Sequence, residues 1–351
     1  MSETRPAGGP PAGTMRAWRR ESYGSADGVR LEQIPIPVPR RGEALLRVHA
    51  TALNAGDVRL MLGDPLLVRP VFGLTRPRHP VRGMDVAGEV VATGRAVIGA
   101  EVGEAVVGEL VGGGGLAEYV TVPATRLVPI RPGVSAVAAA SLPIAGGTAW
   151  QALDLAGVGL GDGAARRDKR ERERVLVIGA SGGVGTFAVQ LAALRGAEVW
   201  ATCGERNMSL VEHLGAAHTL DHRRSPLSEL PASHFDAVID IAGGVDLRTL
   251  QRLLVPGGSA VLVAGNGGHV LGPVPRMLEA AYRSIGSTRR IRPLAATPRP
   301  EVTARLLDLV ADGRVTPVVE REYGFDEASE ALLHLEAGHT VGKLVVRAAF
   351  E

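Results

Sequence analysis

Residues 174–202 read RVLVIGASGGVGTFAVQLAALRGAEVWAT, and this stretch decides the fold. Val175-Leu176-Val177-Ile178 is an apolar run of strand length without polar alternation, as expected of a strand buried on both faces of a parallel sheet. A glycine-rich turn follows, Gly179-Ala180-Ser181-Gly182-Gly183-Val184-Gly185. Helical periodicity then runs from Phe187 to Arg195, and a second strand from Glu198 to Thr202. Strand, turn, helix and strand make a βαβ unit that offers backbone N–H groups and a helix N-terminus to a pyrophosphate. A glycine triplet alone is weak evidence; with both flanks in place it reads as a dinucleotide-binding unit.

The end of the second strand bears on which dinucleotide is held. An NAD-binding unit carries an acid about 20 residues after the glycines, for the ribose 2′-OH. Here the chain reads Thr202-Cys203-Gly204-Glu205-Arg206. Arg206, with Arg223 or Arg224 after the next short strand, is placed to pair with a 2′-phosphate, while Glu205 argues mildly the other way. NADPH is the favoured cofactor. His222, beside those arginines, and Ala242, after the strand Asp236 to Ile241, complete the nucleotide-contacting set on this side.

A length of 351 residues fits two domains, and 45% apolar residues supply their cores. The lone cysteine, Cys203, excludes an intramolecular disulfide and any multi-cysteine zinc site. Net charge is +2, and arginine greatly outnumbers the two lysines, Lys169 and Lys343, a coding-bias pattern that gives no reason to expect nucleic acid as a partner. No apolar run reaches membrane-spanning length, and residues 1–14 lack the apolar centre of a signal peptide. The expectation is a cytoplasmic protein with a disordered tail over 1–14.

Residues 15–141 are β-rich and punctuated by Gly and Pro, as in a small irregular barrel, with strands at Met15 to Arg19, Ala44 to Thr51, Val86 to Thr93, Ala105 to Glu109 and Ala117 to Val122. Asn54-Ala55-Gly56-Asp57 breaks the second of these before a short helical turn from Val58 to Gly63. Pro65 to Pro80 reads as a mobile surface loop. Pro143 to Gly147 reads as a turn ahead of a helix from Thr148 to Ala156. The charge run at 161–174 reads as a solvated insertion. Residues 142–290 then alternate strand and helix as a doubly wound parallel sheet. Residues 291–351 return to complete the first domain with helices Glu301 to Asp312 and Asp326 to Ala337 and a last strand, Lys343 to Arg347.

In this order the segments resemble the medium-chain dehydrogenase/reductase superfamily, and within it the zinc-independent quinone oxidoreductase branch. The likeness rests on Gly83-Met84-Asp85-Val86-Ala87-Gly88-Glu89-Val90, Leu142-Pro143-Ile144-Ala145-Gly146-Gly147-Thr148, GASGGVG at 179–185, Ala201-Thr202-Cys203 through Leu214-Gly215-Ala216, and the final VGKLVV. The resemblance implies an α/β fold in which a GroES-like β-barrel catalytic domain stands beside a Rossmann domain, with nicotinamide and substrate in the cleft between them. It implies a homodimer joined through the edge strand near Ser259 to Ala264. It also implies that Thr148 lies near the nicotinamide, Ala264 and Gly265 beside the carboxamide, and Gly342 and Lys343 over the cofactor. Thr148 also has the simpler reading of a helix N-cap.

Zinc members of the superfamily place a Cys ligand in the region of Asn54 to Asp57 and a His where Met84 stands. Neither is present, and methionine is a poor zinc ligand, so no metal is expected. Without a Lewis acid, hydride addition to an electron-poor C=C or a quinone is easier than alcohol oxidation, because the carbonyl oxygen then needs only a hydrogen-bond donor. The resemblance puts the Asn54 amide in that role, with Asp57 beside it; both also read as local caps. The expected activity is NADPH-dependent reduction of a small conjugated carbonyl or quinone. An enoyl-thioester reductase is one alternative, and a non-catalytic NADPH- or RNA-binding protein of the zeta-crystallin type is another. The expected substrate pocket draws on Pro65 to Pro80, Val107 to Gly115 and Arg283 to Pro293.

Overall fold

The computed structural model describes residues 11, 13–159, 172–263 and 267–348. The charged run and the expected contacts Ala264 and Gly265 lie wholly or largely outside them. The chain opens with an antiparallel hairpin, β1 (Thr14–Arg19) and β2 (Arg30–Pro35), paired Thr14 to Pro35 through Arg19 to Arg30. The catalytic sheet is built from β3 (Glu43–Leu53), β4 (Asp85–Thr93), β5 (Ala105–Glu109), β6 (Tyr119–Pro123) and β7 (Leu127–Pro129). Between β3 and β4 lie α1 (Ala55–Leu62) and α2 (Arg69–Phe72).

Two helices, α3 (Ala136–Ala140) and α4 (Pro143–Ala156), lead into the second domain. Pro143 there is the opening residue of a helix, a place where its missing N–H costs nothing. Thr148 is therefore mid-helix, and its expected N-cap role falls away.

The second sheet is parallel, in the order β10 (His218–Asp221), β9 (Glu198–Cys203), β8 (Arg174–Ile178), β11 (Phe235–Asp240), β12 (Leu254–Leu262), β13 (Arg290–Pro293). Its crossovers include α5 (Gly183–Leu194), α6 (Met208–His213), α7 (Leu247–Leu253) and α8 (Val274–Ser284). The glycine turn thus runs straight into α5 instead of preceding it by several residues. α8 and β13 were not expected from the sequence, and they correct two expectations. The segment Ser259–Leu262 of β12 is flanked on both sides, by β11 and β13, so the free edge is β13. A domain boundary at residue 290 would also cut β13; the parallel sheet runs on to Pro293.

After α9 (Pro300–Ala311) the chain re-enters the first domain. β14 (Val319–Tyr323) pairs in parallel with β15 (Lys343–Arg347), α10 (Ala328–Ala337) connects them, and β15 lies antiparallel to β3 from Leu344–Leu53 to Arg347–Ala50. One apolar core joins the domains. Ala50, Ala87 and Val107 of the catalytic sheet are continuous with Leu142, Phe187, Val175 and Leu306. The Pro65 to Pro80 segment is tied down: Leu66 and Leu67 donate their N–H groups to His269 O and Val270 O, at 2.8 and 3.2 Å.

Candidate active site

The nucleotide side of the cleft is the turn from β8 into α5. Ala180 N–H donates to Thr202 O at 2.9 Å, and Gly179 N–H to Thr202 Oγ1 at 3.3 Å, which ties the turn to the end of β9. The N-cap of α5 is Gly182, which has no side chain to satisfy the N–H groups of the first turn, Gly183, Val184 and Gly185. Those donors, at the positive end of the helix, are free for phosphate oxygens. Gly185 is required by packing, since a Cβ there would lie 2.2 Å from Gly179 O. Ala242 faces Gly179 across the mouth of the turn.

From the catalytic domain, Gly342 N–H donates to Ser181 O at 2.8 Å, and Gly182 and Gly342 form an isolated bridge. Gly342 has φ +67°, and a Cβ there would meet Val318 O at 2.3 Å, so only glycine fits. The chain reaches the phosphate turn and continues directly into Lys343.

At the far end of β9 the place of the ribose acid is held by Cys203, which is buried and whose thiol is pushed up by burial and by Asp221 and Glu212. Glu205 pairs with Arg224 at 2.9 Å in a solvent-exposed ion pair. Arg206 and Arg223 are exposed, and their guanidinium groups have no partner among the described residues. His222 Nδ1 sits 2.9 Å from Cys203 O.

The catalytic side is a buried polar network. Asn54 Nδ2 donates to Asp85 Oδ2 at 2.9 Å and more weakly to Ala52 O at 3.3 Å; its Oδ1 accepts from Lys343 Nζ at 2.5 Å. Lys343 Nζ also donates to Leu53 O at 2.9 Å and lies 3.7 Å from Asp85 Oδ2. Ile144 N–H, at the start of α4, donates to Asp85 Oδ1 at 3.1 Å. Burial pushes the Asp85 carboxyl up to about 7, with the Lys343 charge pulling the other way. Burial likewise holds Lys343 below the ordinary lysine value, against the pull of Asp85 and Asp57.

These contacts show how three of the expected residues are held. Asn54 is the N-cap residue of α1, but its side-chain oxygen and one amide hydrogen are committed to Lys343 and Asp85, which leaves the second amide hydrogen held only weakly by Ala52 O. Lys343 serves both sides: its stem lies against the phosphate turn, with Cδ 3.2 Å from where a Cβ on Gly183 would sit, while its ammonium joins the catalytic-side network. Asp57 is fully buried, and its two oxygens accept from Asn54 N–H at 2.9 Å and Gly83 N–H at 2.7 Å. Its carboxyl is raised by burial, opposed by those N–H groups and by Arg82. Asp57 therefore caps the first turn of α1, as its local reading in the sequence has it, and pins that turn to the approach to β4. Thr148, on the inner turns of α4, is 9% exposed. Sequence reasoning missed Asp85 and the true partner of Lys343; the signal was there in Asp85 beside Met84 and in a lysine inside an otherwise apolar final strand.

The three segments expected to form the substrate pocket separate. His79–Val81 and Leu110–Gly114 line one groove of about 710 Å³, while 284–292 lines another of about 690 Å³ beside β13. Among the described residues no group of three or more His, Cys, Asp or Glu gathers as metal ligands would, and no helix is long and apolar enough to cross a membrane.

A model for the alcohol dehydrogenase GroES-like domain matches residues 40–132, and one described as zinc-binding dehydrogenase matches residues 214–346. A chloroplast envelope quinone oxidoreductase homologue of Arabidopsis thaliana is 36% identical over 95% of this chain and 98% of its own length. The chain belongs to the medium-chain dehydrogenase/reductase superfamily, in its quinone oxidoreductase-like branch. A mitochondrial NAD(P)H oxidoreductase of Drosophila melanogaster is 32% identical (99% of this chain, 90% of its own). A 2-methylene-furan-3-one reductase of Solanum lycopersicum is 30% identical (95% and 79%). The solved quinone oxidoreductase of Coxiella burnetii superposes with a TM-score of 0.82 at 28% identity, covering 95% of this chain and 99% of that one. The chain is an NAD(P)H-dependent oxidoreductase of the quinone and enone type, which sets aside the non-catalytic alternative.

Proposed function

We propose that this enzyme uses NADPH, works without zinc, and reduces the C=C of a conjugated carbonyl compound or a quinone. The observation that carries the reading is the Asn54–Asp85–Lys343 network. It fills the place behind the cleft where zinc members of the superfamily carry their ligands. Asn54 and Met84 stand at two of those positions, and Asp85 is already held by Lys343, Asn54 and Ile144 N–H. An amide and a thioether are poor zinc ligands.

The residues fit NADPH. The uncapped α5 terminus would hold the pyrophosphate, and Arg206 and Arg223 the 2′-phosphate, beside a strand end with no free acid. When bound, the cofactor supplies a hydride from nicotinamide C4. The Ser181–Gly342 bond keeps the catalytic domain against the phosphate turn, while Thr148 on α4 faces the nicotinamide side of the cleft. Lys343 and Asp85 fix which way round the Asn54 amide sits, because a flipped amide would put N–H against ammonium and oxygen against carboxylate. The N–H held only by Ala52 O at 3.3 Å is the one a substrate oxygen would take over as negative charge develops on it. The proton that completes the reduction comes from solvent.

The test is a fluorescence titration with NADPH and NADH, followed by addition of phenanthrenequinone or a 2-alkenal while the reduced-nicotinamide absorbance is watched. NADPH binding with oxidation by either acceptor is the expected result. Failure to bind either nucleotide would overturn the reading, and dependence of turnover on added zinc would overturn its metal-free part.

A further inference from the structure

β14 does not pair with β15 residue for residue. Val319 lies opposite Lys343 and Arg321 opposite Leu344, so Glu320 between them is an extra residue, a bulge in a parallel ladder. Bulges are rare in parallel pairs and re-aim the side chain they carry. Here the side chain reaches the connection from α10 to β15, Gly338-His339-Thr340-Val341-Gly342, where Glu320 Oε2 accepts from Val341 N–H at 2.8 Å.

That connection is a strap against the nucleotide site. Gly342 N–H donates to Ser181 O at 2.8 Å, and Gly342 runs beside Gly182 as a parallel bridge. A Cβ on Gly183, in the first turn of α5, would lie 3.2 Å from Gly342 O. The strap follows a costly path: Gly338, His339 and Gly342 have φ of +77°, +64° and +67°, and His339 lacks a glycine's freedom to be there. A segment bent in this way needs holding. Glu320 holds it at Val341, next to the residue that touches the phosphate turn.

The carboxylate is itself supported. Tyr323 is 2% exposed and its hydroxyl lies 2.7 Å from His334 Nδ1; burial raises this phenol, so the hydroxyl keeps its proton and donates it. Nδ1 is then the acceptor, which leaves the proton of the neutral ring on Nε2, 3.9 Å from the same Glu320 Oε2. Tyr323 and Ala328, Ala331 and Leu332 of α10 share one core cluster, so hydroxyl and imidazole come from elements packed firmly together. Lys343 is fixed by other bonds, from its N–H to Val318 O and from Nζ to Leu53 O and Asn54 Oδ1. Losing Glu320 therefore frees the strap and leaves the Asn54 network in place.

We propose that Glu320 is a positioning residue for the nucleotide: it holds the strap 338–342 against the phosphate turn, and His334, oriented by Tyr323, holds Glu320. This rests on nucleotide binding at the α5 terminus and deepens it by naming the residues that keep that site closed.

The experiment measures Kd for NADPH and NADH by fluorescence titration, and kcat with saturating NADPH and phenanthrenequinone, for the wild type, Glu320→Ala, Glu320→Gln and His334→Phe. Glu320→Ala is expected to raise both Kd values by about 10-fold, near the low end for a hydrogen bond to a charged group because the carboxylate is partly exposed, with kcat within about twofold. Glu320→Gln, which keeps an acceptor for Val341 N–H, should restore most of the affinity. His334→Phe, which leaves the carboxylate unsupported, should weaken both nucleotides by about threefold. Unchanged Kd values in Glu320→Ala overturn the proposal. A fall in kcat without a change in Kd overturns it too, as the sign of a merely structural role, and so does weaker NADPH binding with NADH unaffected. Should Glu320→Ala fail to fold, unchanged Kd values in His334→Phe overturn it. A wild type that binds neither nucleotide is the failure of the reductase reading, and the proposal falls with it.

Discussion

Lys343→Met is the substitution whose consequences the structure constrains most tightly. The ammonium it removes is 2% exposed and donates to Leu53 O and Asn54 Oδ1 beside the fully buried Asp85. Loss of two hydrogen bonds costs about 2 kcal/mol at any pH. The remainder depends on pH. Asp85 in the folded enzyme titrates at about 7, against about 3.9 for an unfolded aspartate. A raised carboxyl contributes stability that is complete below about pH 4 and lost as pH climbs to the folded value, where the loss levels off. Lys343, lowered by burial, acts in the opposite sense, its term gained as pH rises, so the wild-type curve is flatter than Asp85 alone would make it.

Without Lys343 the pull that lowers Asp85 is gone, its folded value climbs above 7, and the levelling-off moves to higher pH. Above pH 7 the variant then loses stability relative to wild type as pH rises. The gap should widen from about 2 kcal/mol at pH 6 toward about 3–5 kcal/mol, typical of breaking a buried pair, at pH 9. Urea denaturation at the two pH values measures it. Adding Asp85→Asn to the variant should remove the pH dependence. A gap of equal size at pH 6 and pH 9 would refute the reasoning, because it would mean that Asp85 does not titrate against Lys343.

Gly185→Ala places a methyl 2.2 Å from Gly179 O, so it should cost about 1–3 kcal/mol in thermal unfolding and weaken NADPH and NADH alike in fluorescence titration. Arg206→Glu combined with Arg223→Glu should weaken NADPH by about 10- to 100-fold and leave NADH within about twofold; equal effects on both nucleotides would count against the 2′-phosphate assignment. The free edge of β13 lies beside α8, whose Leu278 and Tyr282, with the following Ile285, are 67, 76 and 79% exposed. An open edge beside exposed apolar side chains is suited to a second copy of the chain. Light scattering should therefore give a dimer that Leu278→Asp with Tyr282→Asp converts to monomer, and a monomeric wild type would refute it.

The parallel sheet was legible because its strands are continuous apolar runs and because glycine at the phosphate turn is demanded by close approach, a constraint that shows in one chain. α8 and β13 were not. α8 has a clear helical period, yet its apolar residues largely face outward and Ala280 alone is fully buried, and β13 is a short run broken by arginines. A helix whose apolar residues face outward has no core-facing period to read. The turn expected at Pro143 failed for a related reason, since proline and paired glycines usually punctuate a chain, yet proline also opens helices and Gly146 fits closely under Leu306.

The polar network marks a different limit. Asn54, Asp85 and Lys343 come from β3's end, β4's start and the last strand, and only the antiparallel pairing of β3 with β4 and β15 brings them together. Each residue alone has a plain reading: a cap, a strand-end acid, a surface lysine. What gives them meaning is mutual satisfaction. An amide between an ammonium and a carboxylate has one low-energy orientation, and that orientation decides which of its hydrogens a substrate can reach. Residue types and spacing carry no information about that orientation. The argument turns on which buried charges are answered by other residues, a property of the packed site that strand and helix periodicity does not contain.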